Sequence, residues 1–228
     1  MLCSSWAAVS NILQVGQEGG SNCVNHKRNH IGSSANSGFY GHPFLFFLIA
    51  HRRVKGFFDY IGLIKPERPT MLYATLLSAA FVLPTLLLLF FSPNIRSVAT
   101  GSNTVIGRLR SYGFSGTTIL LVGIEAFIQT SFSEEILFRG FVAKRLINWM
   151  GFRWGNLLQA LLFGVVHLLV FTGQEFSFAL AVGFVLLTGL GGWISAFLNE
   201  RVGNGSILPS WWMHGVANAI AYTILAFS

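Results

Sequence analysis

The sequence predicts an all-α fold, a polytopic transmembrane bundle of about five to seven membrane helices. Three observations predict it. Hydrophobic residues make up 53% of the 228 and charged residues only 10%, where an ordinary soluble domain carries about 25% charged. Mean hydropathy is +0.60. Apolar runs near membrane-crossing length recur between shorter polar segments. Such a composition cannot cover a water-facing surface. The 22 Phe and 25 Gly fit a protein that faces lipid and packs its helices closely. The net charge of +7 sits in basic loops and reads as topological anchoring. The expected partners are therefore the lipid bilayer and a membrane-associated molecule, with no nucleic acid.

Taken in order, residues 1–42 form a polar, Ser-, Asn- and Gly-rich tail read as disordered. Its His26 and His30 read as part of a solvated basic tail. The two cysteines, Cys3 and Cys23, give neither a CxxC pair nor a disulfide framework. No charged start leads into an apolar run here, so no signal peptide is expected. Residues 43–114 hold N-terminal membrane segments and loops. Phe44–Ala50 is too short to span, since a crossing takes ~20 residues; it reads as interfacial or as a poorly formed first helix. Pro69 opens an apolar run to Phe91, with Pro84 placed to kink it. Residues 93–114 read as a polar connection. The core is expected over residues 115–227. Its first run continues without a breaker from Thr117 to about Trp149, so it should be tilted, bent, or broken near Ser131–Ser133. Gln159–Phe171, Phe178–Leu198 and Ile207–Phe227 complete the spans.

Charge assigns the faces. With Phe44–Ala50 not crossing, the basic residues at 27–28, 52–68, 144–153 and 201 share one side. Arg96, Arg108 and Arg110 hold the other. The richer side should be cytoplasmic.

Polar residues interrupt three apolar helices. Glu134, Glu135 and Arg139 form the first cluster, His167 the second, His214 and Asn218 the third. Arg139 is one helical turn after Glu135 and spaced to pair with it. Glu134 is left without a local cation, and a buried unpaired carboxylate is a candidate general base. Glu125, in the same stretch, receives no role. His214 and Asn218 are also one turn apart and share a face. Counted from Arg145, Arg153 and Ser206, the clusters lie eleven, fourteen and eight residues in. At ~1.5 Å per residue that is roughly 12–21 Å deep, near mid-membrane.

These groups suit hydrolysis. A buried Glu near a neutral His can hold and deprotonate a water. His214 and Asn218 can donate to the oxyanion that follows. The bland alternative makes His167 or Asn218 an interhelical staple, and Glu135–Arg139 reads first as structural. Ser131, Ser133 and Ser210 lie outside any Gly-x-Ser-x-Gly elbow. There is no His-Glu-x-x-His motif. Zinc on His167, His214 and a Glu is the less favoured option; no cofactor is expected.

Glu-Glu-x-x-x-Arg at 134–139, Phe-x-x-x-His at 163–167 and His-x-x-x-Asn at 214–218 resemble the motifs of the CPBP intramembrane proteases. That family includes the type II CAAX prenyl endopeptidases and bacteriocin-processing or immunity proteins. Phe138-Arg139-Gly140 and Pro209–His214 add to the likeness, which covers about residues 115–227. The resemblance implies that Glu134 and His167 activate water and that His214 and Asn218 stabilise the oxyanion. Glu135, Arg139 and Phe163 would support them. The sequence is accordingly read as an integral membrane endopeptidase of the cell membrane, its site opening to the cytoplasm. It would cleave membrane-associated, CAAX-type proteins or peptides. The alternative is a catalytically silent membrane scaffold or bacteriocin-immunity protein of the same fold.

Overall fold

The computed structural model describes residues 42–171 and 177–228; the side chains of residues 89, 170 and 171 are not among those described. The expected disordered tail, with its histidines and cysteines, lies outside these residues apart from His42. Within them the chain is helical, with no strand. A short helix α1, His42–His51, leads into α2, Phe57–Ile61. Helix α3 runs over Arg68–Phe91 with Pro69 in its first turn and Pro84 inside it. Proline fits a first turn because that N–H has no helical partner anyway.

The connection expected to be polar is instead two short helices, α4, Pro93–Ala99, and α5, Val105–Ser111. They are amphipathic. Ile95, Ala99, Val105, Ile106 and Leu109 are buried in one cluster with Val122, Ala126, Phe184, Tyr222 and Leu225. Thr104 caps α5 by accepting the Gly107 N–H at 3.0 Å. This satisfies one of the orphan donors of the first turn.

Helix α6 spans residues 116–150. Ser115 caps it through the Thr118 N–H at 3.1 Å. It is not broken at Ser131–Ser133. The backbone stays helical, but two stretches, Ile124–Phe132 and Glu135–Ala143, are π-helical. Wider π turns concentrate at functional sites. Here they flank Glu134 and help keep Thr130, Ser131, Ser133, Glu134, Glu135, Phe138 and Arg139 all buried. The break falls later, at Gly151, whose φ of 79° and ψ of 165° end the helix. Helix α7, residues 152–167, follows and closes in a 3₁₀ turn, Leu168–Phe171. Helix α8, Phe178–Phe197, runs into a π turn, Leu198–Val202. Helix α9, Leu208–Phe227, packs against α3, α5 and α6; α7 and α8 pack on each other.

Two helices among the described residues are long and apolar enough to cross a membrane, Arg68–Leu88 and Phe178–Val202. Five to seven membrane helices were expected. The remaining long helices carry the polar groups of the site, which lower their hydropathy. The two apolar windows are only 17% and 22% buried, with Leu72, Leu76 and Leu83 on α3 and Leu186 and Leu190 on α8 exposed. A core helix of a soluble protein would hide these side chains; a lipid surrounding would not need to.

Basic side chains of the described residues are engaged at two separate ends of the helices. Lys144 Nζ lies 2.6 Å from Glu200 Oε1 and donates to the Gly205 carbonyl. Arg145 stacks on Tyr60, and Arg201 stacks on Phe152. At the other end Arg96 and Arg110 both donate to Ser228. The α2 segment closes the Lys144 end. Gly62, at φ 75°, passes so near that a Cβ would sit 2.3 Å from the Gly205 carbonyl oxygen. Its own carbonyl accepts the Ile207 N–H at 2.9 Å.

Candidate functional site

The motif residues converge. Helix α6 brings Glu134, Glu135 and Arg139, α7 brings Phe163 and His167, and α9 brings His214 and Asn218. Arg139 Nη1 lies 3.3 Å from Glu135 Oε1, one turn away, with both side chains buried. The guanidinium also stacks 3.9 Å over the Phe163 ring. Phe163 meets Phe138 edge-on at 4.9 Å. It therefore holds Arg139 from the side that Glu135 leaves open. Arg139 Nε and Nη1 make no aligned hydrogen bond, so the pair is held by charge and stacking.

His214 lies between the two glutamates. Its Nδ1 is 3.2 Å from Glu135 Oε1 and its Nε2 is 3.9 Å from Glu134 Oε2. The carboxylate paired with Arg139 can only accept, so the bond assigns a proton to Nδ1. The 3.9 Å gap is too long for a direct hydrogen bond. Glu134 Oε2 is buried with no hydrogen-bond partner in the protein. Arg139 thus serves Glu135, as the spacing of the motif suggested, and His214 Nδ1 serves it too, which no spacing showed.

His167 Nδ1 donates to its own helix, at 2.6 Å from the Phe163 carbonyl. Its Nε2 is left as an acceptor. The ring sits against Phe163 and Phe184, with centroids 4.3 and 6.3 Å away. No carboxylate is within ion-pair range of it among the described residues. Asn218 donates to Ser131 Oγ at 3.1 Å, which leaves its second amide proton free to donate. A cavity between α3, α8 and α9 is lined by Arg139, His167, His214 and Asn218 and by the apolar Phe81, Phe184, Leu187 and Met213. Glu134 does not line this cavity; His214, which does, lies 3.9 Å from it.

The serines near the motifs are engaged. Ser133 donates to the carbonyls of Gln129 and Thr130. Ser131 accepts from Asn218. Ser210 donates to Glu135 Oε2 and is in turn held by Asn199, whose Nδ2 is 2.7 Å from Ser210 Oγ. Asn199 and this use of Ser210 were missed from the sequence. A polar residue in the apolar run Ala196-Phe197-Leu198-Asn199 was the available signal, because a buried amide needs partners. Glu125 is 3.6 Å from Arg108, away from the site. No three His, Cys, Asp or Glu side chains gather as a metal-holding group among the described residues.

A family model described as type II CAAX prenyl endopeptidase Rce1-like matches residues 116–220. The match supports a CPBP/CAAX protease family assignment, and proteins of that kind are generally membrane proteases. No curated protein and no solved structure matches the chain.

Proposed function

We propose, from the family assignment of residues 116–220, that this chain is an integral membrane endopeptidase. It would hydrolyse a peptide bond near the C-terminus of a membrane-associated protein without a covalent intermediate. The observation that supports this most is the division of labour between adjacent glutamates. Glu135 takes Arg139, Ser210 and His214 Nδ1, while Glu134 Oε2 is buried without a hydrogen-bond partner. A structural carboxylate pair has no use for that asymmetry, whereas a general base needs it.

In this reading a water sits between Glu134 Oε2 and His214 Nε2, and His167 Nε2 helps to hold it. Glu134 takes its proton as the oxygen attacks the scissile carbonyl carbon. The oxyanion accepts N–H bonds from Asn218 Nδ2 and from His214 Nε2. At rest the ring carries its one proton on Nδ1, and it donates from Nε2 after taking a second proton from solvent, as an imidazolium flanked by the two carboxylates. The proton taken by Glu134 passes to the leaving nitrogen as the C–N bond breaks. A carboxylic acid and an amine result. The apolar cavity walls suit the aliphatic residues, or a prenyl group, of a CAAX-type substrate. The end carrying Lys144, Arg153 and Arg201 faces the cytoplasm, and the protein resides in the cell membrane.

One observation favours the silent-binder reading: Glu134 lies outside the cavity lining. An assay separates the two. Purified protein in lipid is given a farnesylated CAAX peptide and a non-prenylated peptide library, and products are read by mass spectrometry. The enzyme reading expects discrete cleavage, and Glu134→Gln expects at least ~100-fold less, the scale of general-base catalysis. Peptide retained intact by well-folded wild-type protein supports the binder.

A further inference from the structure

We propose that Ser210 and Asn199 are positioning residues of the site: they hold the Glu135 carboxylate in the rotation that fixes His214 with its proton on Nδ1 and its Nε2 aimed at Glu134. Asn199, Ser210 and Glu135 are all fully buried. Each step of the chain is a directed bond. The Ser210 backbone N–H donates to Asn199 Oδ1 at 3.2 Å, which sets the amide so that Nδ2 faces Ser210 Oγ. Nδ2 then donates to that oxygen at 2.7 Å and occupies one of its lone pairs. The hydroxyl proton has two acceptors, the Ile207 carbonyl at 3.1 Å and Glu135 Oε2. A charged acceptor forms the stronger bond, so the proton goes to Glu135. Glu135 Oε2 is thereby occupied, and Oε1 is left to meet both Arg139 Nη1 and His214 Nδ1.

The pair sits where it can register whole elements. Asn199 belongs to the π turn after α8, and Ser210 to the first turn of α9. A helix start leaves N–H groups without partners. Here Leu208 N donates to Ser206 Oγ, Pro209 has no N–H, and Ser210 N is taken by Asn199. The bonds that finish the helix also aim its histidine, four residues on. Removing one hydroxyl should free Oε2 and let the carboxylate turn about its last bond. His214 would then lose its fixed tautomer while the backbone stays capped.

The kinetic part of this inference rests on the hydrolase reading; the tautomer part does not. The first measurement is on wild-type protein in lipid, with 15N-labelled histidine and solid-state NMR, the His214 signal assigned by its loss in His214→Gln. A proton on Nδ1 is expected; a neutral ring protonated only on Nε2 overturns the proposal without any further variant. Ser210→Ala is then expected to fold with a lowered melting temperature, since Asn199 Nδ2 and Glu135 Oε2 lose a buried partner, and to give a mixed His214 tautomer. Its kcat should fall about 10- to 100-fold, the scale seen for groups that orient a reacting residue, with KM within about twofold. Unchanged tautomer in a folded Ser210→Ala overturns the proposal whatever happens to rate. If that variant does not fold, Asn199→Ala is judged by the same two readouts. If wild type cleaves nothing, the functional reading fails and the tautomer alone decides this one.

Discussion

Glu135 and His214 face each other across two helices, Oε1 to Nδ1 at 3.2 Å, and everything else at the site is arranged around that contact. It binds α6 to α9, draws Ser210 and Arg139 to the same carboxylate, and leaves the far nitrogen of the imidazole toward Glu134.

Arg139→Ala should cost stability before it costs chemistry. It strips Glu135 of its buried partner and Phe163 of the cation stacked on it. An uncompensated buried charge costs ~3–5 kcal/mol. The yield of folded protein and the detergent melting temperature should both fall. A variant as stable as wild type but inactive would move Arg139 into the reacting set.

Asn218→Ala should do the reverse. The side chain has one bond to Ser131 and lines the cavity, so folding should survive. Loss of one oxyanion donor costs ~3–4 kcal/mol of transition-state stabilisation, about 10²–10³ in kcat. A folded variant with wild-type kcat would remove Asn218 from the oxyanion site.

Sidedness is open to labelling. Cysteines placed at Arg153 and Asn204, both exposed, should react with an impermeant thiol reagent from the cytoplasm. One at Phe178, 84% exposed, should react from the opposite face. The reverse pattern would overturn the cytoplasmic orientation, and labelling of all three from one side would overturn the bundle topology.

Metal dependence is settled by a chelator. The glutamate–water mechanism expects activity to persist after strong chelation, with bound metal followed by mass spectrometry. Loss that zinc alone restores would make His214 and His167 ligands rather than proton handlers, since metal sites need them neutral and coordinating.

Much of this site is legible because helices make it so. Glu135 to Arg139, Phe163 to His167 and His214 to Asn218 are all four-residue steps, which place partners on one face. The Asn199–Ser210 pair was not legible. It joins residues eleven apart around a helix junction, and no periodicity marks such a contact. The π turns of α6 likewise leave no trace in the hydrophobic pattern, since i→i+5 bonding follows from packing around buried polar groups. The connection over 93–114 was misread for a different reason. Its apolar residues Ile95, Ala99, Val105, Ile106 and Leu109 do carry three- and four-residue steps, but the arginines and serines between them dominate the composition. The membrane span count is diluted in the same way, by the very side chains that form the site.

The docking of α2 has a consequence for where this protein can be cut. Ile61 is 1% exposed and packs with Ile136 and Ile207 beneath the Glu134 motif, burial worth ~1.5–3 kcal/mol. The carbonyls of Gly62 and Ile64 receive the Ile207 N–H and the Ser206 hydroxyl. A fragment starting at 116 would hold every motif yet leave those donors orphaned at the mouth of α9. A fragment that keeps these donors paired therefore has to include α2, well upstream of the stretch in which the motifs lie.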